Sequence, residues 1–111
     1  MKNYITLKEN RDFSRLYHRG KSFVSPVLVT YILKNKSNNL RYGITTGKKI
    51  GNAVKRSRSR RVIRASFSEL FDNVKPGYDF IFVARGKTPF VKSYVVKNAM
   101  EQAFKEAGIM K

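Results

Sequence analysis

Cysteine is absent from this chain of 111 residues, which excludes disulfides and thiolate metal sites. The sequence also lacks any run of about 18 apolar residues, so it contains no predicted membrane span. Its first residues, MKNYITLKENR, lack the apolar core of a signal peptide, and we therefore expect a cytoplasmic protein.

Acidic residues are scarce. Seven Asp and Glu stand against 24 Lys and Arg, which gives a net charge of +17. No acid occurs between Asp12 and Glu69, whereas the segment from Arg15 to Arg64 contains fourteen Lys or Arg. The positive electrostatic field of such a segment concentrates anionic partners around the protein and speeds their association with it. Nucleic acid is the first expectation for such a partner, and an anionic membrane surface is the second.

The few carboxylates do not form a cluster in the sequence. Asp12, Asp72 and Asp79 are isolated acids, and His18 is the only histidine. Metal-assisted nucleases need clustered carboxylates to hold their ions. We therefore expect no catalytic residue in the polypeptide, while a metal site of another kind stays open.

The stretch from Lys48 to Arg64 contains eight Lys or Arg in seventeen residues and no acid. Gly51 allows a sharp turn, and Asn52 is a good N-cap for the helix that the following residues favour. Cations point almost all round the first half of this helix, and each like-charged pair at helical spacing costs a few tenths of a kcal/mol. That half lacks the apolar face of a membrane-surface helix, so we expect a polyanion and no membrane contact.

The remaining pattern predicts a single α+β domain over residues 1–111, with one mixed β-sheet packed with helices. After an extended arm at residues 1–9, the expected order is α-β-β-β-α-β-α. The predicted elements are a helix at 10–19, strand pieces at 23–24 and 27–33, a strand at 40–46 as the hairpin partner of the preceding one, the basic helix to about Phe71, an apolar strand at 78–84 and a helix that ends at Gly108. The strand at 78–84 is almost wholly apolar, which is typical of a central strand.

The segment GNAVKRSRSRRVIRASF resembles the signature of the bacterial ribonuclease P protein component, K-K-x-G-N-A-V-x-R-N-R-x-K-R-x-x-R. The matching positions are Lys48, Lys49, Gly51, Asn52, Ala53, Val54, Arg56, Arg58, Arg61 and Arg64. Ser57 replaces the usual Asn, and Arg60 stands where Lys is commoner. The first predicted helix and the segment LRYGITTGKKIGNAV also resemble the family, so the resemblance covers nearly the whole chain.

The resemblance implies a ribosomal-protein-S5-domain-2-like fold. In this family the connection from the strand at 40–46 through the basic helix to the strand at 78–84 is left-handed, an exception to the usual crossover rule. It also implies a protein subunit that binds a catalytic RNA. The two together remove the 5′ leader of precursor tRNA.

The scissile chemistry in the family belongs to the RNA and to its Mg²⁺ ions, which are held mainly by the RNA. The implied partners are therefore the catalytic RNA subunit and precursor tRNA with its 5′ leader, and no protein partner is required. An ordinary solvated helix is the alternative interpretation of the basic stretch. The residues expected to bind RNA are Lys48, Lys49, Asn52, Lys55, Arg56, Arg58, Arg60, Arg61 and Arg64.

Three aromatic residues match the leader-binding cleft of the family: Phe13, Tyr17 and Tyr31. Phe13 and Tyr17 share a helix face, and we expect Tyr31 on the strand beneath. Aromatic faces suit unpaired bases, because stacking tolerates changes of sequence. Ordinary core packing is the alternative for each of these rings.

Two other functions are compatible with this sequence. A small ribosomal or other structural RNA-binding protein would have a similar composition, but it should not prefer precursor over mature tRNA. A protein-only nuclease would cleave precursor tRNA without an added RNA subunit.

Overall fold

The computed structural model of the chain describes residues 4–111. Its strands and helices are β1 (Tyr4–Thr6), α1 (Asn10–Arg19), β2 (Lys21–Val24), β3 (Leu28–Lys34), β4 (Leu40–Thr45), α2 (Ala53–Leu70), β5 (Tyr78–Ala84) and α3 (Ser93–Ala107). Short 3₁₀ turns occupy Lys48–Ile50, Phe71–Asn73 and Thr88–Phe90. The α+β class with one mixed sheet is confirmed.

The five strands form one sheet in the order β1-β4-β5-β3-β2. The central strand, β5, is parallel to β4 and antiparallel to β3. Phe80 and Phe82 of β5 point to one face of the sheet, whereas Asp79 and Ile81 point to the other, and all four are buried. Burial on both faces explains why this strand is almost wholly apolar, and its predicted central place is confirmed.

The predicted hairpin between the strands at 27–33 and 40–46 is wrong. β3 pairs with β2 and with β5, whereas β4 pairs with β5 and with β1. A strand that is buried on both faces must satisfy the hydrogen bonds of both its edges inside the sheet. β5 does so by lying between β3 and β4, which are neighbours only in sequence.

The predicted order also omitted the first strand. Within the arm that was expected to be extended, Tyr4–Thr6 adds to the edge of the sheet as β1, parallel to β4. The amide of Leu7 continues this pairing with a 2.7 Å hydrogen bond to the carbonyl of Tyr42, and the Leu7 side chain is buried. Residues 1–3 of the arm lie outside the described residues.

Helices cover the two faces of the sheet unequally. α2 and α3 pack on one face around the largest core cluster, in which Phe67, Phe80, Phe82 and Phe104 are buried. α1 packs on the other face, where Leu16, Ile81 and Leu7 form a smaller cluster. The hand of the β4-α2-β5 crossover stays a prediction. Among residues 4–111, no helix is both long enough and apolar enough to cross a bilayer.

Candidate nucleic-acid interface

The start of α2 is fixed by the two residues that the sequence singled out. Gly51 has φ 127°, a conformation that residues with a Cβ rarely adopt. Asn52 is the N-cap, and its Oδ1 accepts a 3.0 Å hydrogen bond from the backbone N–H of Lys55. The predicted cap is therefore confirmed, and the cationic side chains project from a helix whose first turn is well defined.

The cations of this region have no acidic partners within residues 4–111. The ion pairs of the described chain involve Arg11, Arg15, Arg41, Lys97 and Lys105. Lys55 and Arg56 are half-buried, and the other predicted RNA-binding residues are exposed. The counter-charge of this surface must therefore come from another molecule or from salt ions.

The buried stripe of α2 divides its cations into two flanks. Ser59, Ile63 and Ser66 are buried, and at 3.6 residues per turn Lys55 and Arg58 fall on one side of them. Arg56 and Arg60 fall on the opposite side, while Arg61 and Arg64 point outwards between the two flanks. We expected cations almost all round the first half of α2. In the structure one face of this half has no cation, and the buried Ser59 lies on that face.

The flank with Arg56 and Arg60 borders an open pocket of about 350 Å³, which Thr46, Ala53 and Ser57 also line. Oγ1 of Thr46 is buried and has no hydrogen-bond partner in the described part of the chain. Ser57, which departs from the family pattern, thus lies beside two arginines at an open surface. Thr46 was not predicted as a site residue, and its unpartnered hydroxyl becomes visible only in the fold.

Tyr17 of α1 and Tyr31 of β3 lie in contact on the sheet face that α1 covers. Their ring centroids are 4.9 Å apart and the rings are nearly perpendicular, at 89°. The Tyr17 hydroxyl is hydrogen-bonded to Oγ1 of Thr45 at 2.8 Å. Tyr17 is 40% exposed, so this pair presents aromatic surface to solvent.

Phe13 has a different environment from the tyrosine pair. Its half-buried ring joins the cluster of Leu16 and Ile81 under α1 and packs over Gly43 of β4. The structure therefore brings two of the three predicted cleft residues together at the surface. The third packs α1 onto the sheet.

The tyrosine pair and the Arg56 flank are joined by two consecutive residues. Thr45 binds the Tyr17 hydroxyl, and Thr46 lines the pocket of Arg56 and Arg60. A strand of nucleic acid that lies along this path would meet aromatic rings first and cations next. Such a path suits single-stranded nucleic acid, which needs faces for its bases and charge for its backbone.

An ion-pair network around the buried Asp79 connects α1 to the sheet. Asp79 is 1% exposed and accepts two hydrogen bonds from Arg41, at 2.8 and 2.6 Å. Arg15 of α1 and Asn35 also donate to this carboxylate. The hydrogen bonds from Arg41 to Asp79 raise the pKa of Arg41 above its ordinary value, although burial opposes the shift.

The chain is similar over nearly its whole length to known proteins. The sequence model of the family described as Ribonuclease P matches residues 1–108. The ribonuclease P protein component of Clostridium beijerinckii is 42% identical over 110 residues, which cover 93% of this chain and 88% of the relative. The ribonuclease P protein component of Listeria welshimeri is 39% identical over 112 residues, which cover 100% of this chain and 94% of the relative.

Two solved structures have the same fold. The RNase P protein of Staphylococcus aureus matches with a TM-score of 0.83 and 32% identity, covering 96% of this chain and 97% of that protein. The RNase P protein of Thermotoga maritima matches with a TM-score of 0.81 and 26% identity, covering 91% of this chain and 96% of that protein.

Proposed function

Because this chain belongs to the ribonuclease P protein family, we propose that its α2 cations and its tyrosine pair together bind the RNAs of that enzyme. The protein is the subunit of an RNA-based endoribonuclease that matures the 5′ end of tRNA. Membership implies partnership with the ribonuclease P RNA and with precursor tRNA.

The 5′ leader of the precursor lies along the path from Tyr17 and Tyr31 to Arg56 and Arg60. One observation carries this proposal: Thr45, which is hydrogen-bonded to Tyr17, is followed directly by Thr46, which lines the pocket of Arg56 and Arg60. The rings receive unpaired bases, and the arginines neutralise the phosphates that follow. The buried hydroxyl of Thr46 gains a hydrogen-bond partner when the leader is bound.

The outward cations and the turn before α2 bind phosphates of RNA. Lys48, Lys49, Arg61 and Arg64 are exposed, and such contacts give affinity with little preference for sequence. The side chain of Asn52 pairs with only one N–H group of the first turn of α2. The other N–H groups of that turn and the positive end of the helix dipole also attract phosphate.

The protein positions substrate, and the RNA carries out the cleavage. Within residues 4–111, no three carboxylate or imidazole groups lie close enough together to hold a metal ion between them. A metal-dependent nuclease needs clustered carboxylates to hold its ions. Mg²⁺ is instead held mainly by the RNA, where it supplies the chemistry of phosphodiester hydrolysis. This assembly works in the cytoplasm and needs no second protein.

The deciding experiment compares the purified chain with and without the catalytic RNA. With the RNA and Mg²⁺, we expect precursor tRNA to be cut at the 5′ end of the mature sequence, and at a lower Mg²⁺ concentration than the RNA alone requires. Cleavage by the protein alone would contradict the proposed division of labour. Equal affinity for precursor and mature tRNA would instead favour a structural RNA-binding protein.

A further inference from the structure

A large aromatic ring stands exposed on the flank of α2 that the leader path does not use. Phe90, in the 3₁₀ turn Thr88–Phe90, is 69% exposed. The ammonium group of Lys55 lies over this ring, 5.0 Å from its centroid. Nε of Arg58 donates a 2.8 Å hydrogen bond to the carbonyl of Pro89. Both cations of this flank thus contact the turn that presents the ring.

Hydrogen bonds anchor the turn Thr88–Phe90, and the fixed backbone keeps the ring of Phe90 exposed to solvent. Thr88 is fully buried, and its Oγ1 donates to the carbonyl of Val27 at 2.6 Å and accepts from the N–H of Arg85 at 2.8 Å. Pro89 is buried as well, and the N–H of Phe90 bonds to the carbonyl of Lys87 at 3.0 Å. An exposed apolar ring on a fixed turn is a feature that a binding partner would explain.

The charge around the ring indicates the chemistry of that partner. Residues 85–96 contain Arg85, Lys87 and Lys92 and no acid, and Lys55 and Arg58 add two more cations beside the ring. A partner must therefore be anionic and must offer a flat apolar face. An unpaired nucleotide has both properties, because its base stacks while its phosphate pairs with the cations.

We propose that Phe90 is a stacking platform for an unpaired base of the catalytic RNA, and that Lys55 and Arg58 hold the adjacent phosphates. This inference rests on the proposed function, in which α2 binds RNA. Arg56 and Arg60 line the pocket of Thr46, whereas Lys55 and Arg58 contact the turn of Phe90 on the other side of the buried stripe of α2. Because the leader occupies the first flank, the base on Phe90 comes from the catalytic RNA.

A tryptophan probe tests the platform directly, because the chain contains no tryptophan. In the full-length Phe90→Trp variant, we expect the fluorescence to be quenched on titration with the catalytic RNA and unchanged on titration with a leader oligonucleotide. The matched control is Gln102→Trp, an exposed position of α3 whose amide contacts Glu106, where we expect no quenching by either RNA. If the fluorescence of Phe90→Trp did not respond to the catalytic RNA, the proposal would be overturned, and quenching by the leader alone would have the same consequence.

Affinity measurements separate stacking from charge. Phe90→Ala should bind the catalytic RNA about 5- to 150-fold more weakly, the range that corresponds to the loss of one stacked base. The dependence of affinity on salt should stay unchanged, since no phosphate contact is lost. Phe90→Tyr should retain affinity, whereas Lys55→Gln should lower the salt dependence. Wild-type affinity of Phe90→Ala for the catalytic RNA would rule the platform out.

The two proposals can fail separately. If the wild-type chain supports cleavage of precursor tRNA by the catalytic RNA while the fluorescence of Phe90→Trp stays unquenched, only the platform is refuted. If the wild-type chain gives no such support, the proposed function itself is refuted. An acidic protein that quenched the Phe90→Trp variant in place of the RNA would assign this surface to a different partner and would also overturn the proposal.

Discussion

The ring of Phe13 lies directly over Gly43, so closely that a Cβ at this glycine would be 2.5 Å from Cζ of the ring. A Cβ essentially never approaches another heavy atom so closely, and β4 and α1 are therefore fitted to each other at this point. The same contact sets the height of α1 above the sheet, and with it the position of Tyr17 over Thr45.

Gly43→Ala should displace Phe13 and shift α1. We expect the free energy of unfolding to fall by about 1–3 kcal/mol, the usual cost of overpacking, and the preference for precursor over mature tRNA to fall with it. Urea denaturation and binding to both RNAs measure the two effects. Gly86→Ala is the control, since nothing lies within 4 Å of its Cβ position. Unaltered stability of Gly43→Ala would show that α1 is free to adjust.

Tyr17→Ala combined with Tyr31→Ala should weaken binding of precursor tRNA more than binding of mature tRNA. Each lost stacking contact is worth about 1–3 kcal/mol, and mature tRNA has no leader to lose it. Tyr17→Phe keeps the ring and removes only the hydrogen bond to Thr45, so it should retain most of the preference. Equal losses for both RNAs would exclude the tyrosine pair from the leader site.

Arg56→Gln should make the binding of precursor tRNA less sensitive to salt. The log–log slope of affinity against salt is about −0.7 per phosphate neutralised on a single strand, so removing one contact should reduce it by roughly that amount. Lys105→Gln removes an exposed cation near the end of α3, beside Glu101, and should leave the slope unchanged. If both variants lowered the slope equally, general charge and not the α2 flank would account for binding.

Asp79→Asn should destabilise the protein without a change of volume. Breaking a buried ion pair costs about 3–5 kcal/mol, but Arg15 and Arg41 keep 37% and 29% of their side chains exposed. Rehydration of these arginines should therefore reduce the loss to about 2–3 kcal/mol, measured by urea denaturation. Asp72→Asn, at an exposed acid, should be close to neutral.

The pH dependence of this network follows from the raised pKa of Arg41. A cation whose pKa is higher in the folded state contributes its stability fully below the unfolded value and loses it only above that value. The unfolded value for Arg lies far above neutral pH. The contribution of Arg41 should therefore be constant across neutral and mildly alkaline pH. A decline of stability that appears in the wild type at mildly alkaline pH and is absent from Arg41→Gln would contradict this.

Local signals in the sequence were sufficient for part of the fold and the site. The Asn52 cap and the central place of β5 depend on near neighbours and on uniform apolarity, which a sequence displays directly. The pairing of β4 could not be predicted from such local signals, because consecutive strands usually lie side by side. In this fold β5 needs two neighbours, and it lies beside β4 where β3 was expected. β1 has three residues, too few for a recognisable alternation.

The same limit applies to the site. Tyr17 and Tyr31 meet because a helix face and a strand face oppose each other, and both faces can be predicted from periodicity. Phe90 was not selected, since the exposure of a single aromatic residue depends on how the turn around it is anchored. The sequence feature that could have indicated Phe90 is its position as an aromatic residue in a segment that is rich in cations and contains no acid.

The central strand is also the last strand of the chain to be synthesised. In the complete sheet β1 and β4 form one pair and β2 and β3 another, and only β5 joins the two pairs by hydrogen bonds. The chain must pass through the 18 residues of α2, which connect β4 to β5, before the sheet is complete. Helix α2 is therefore an internal part of the folding unit, and a chain that ends before residue 78 would lack the strand that joins the two strand pairs by hydrogen bonds.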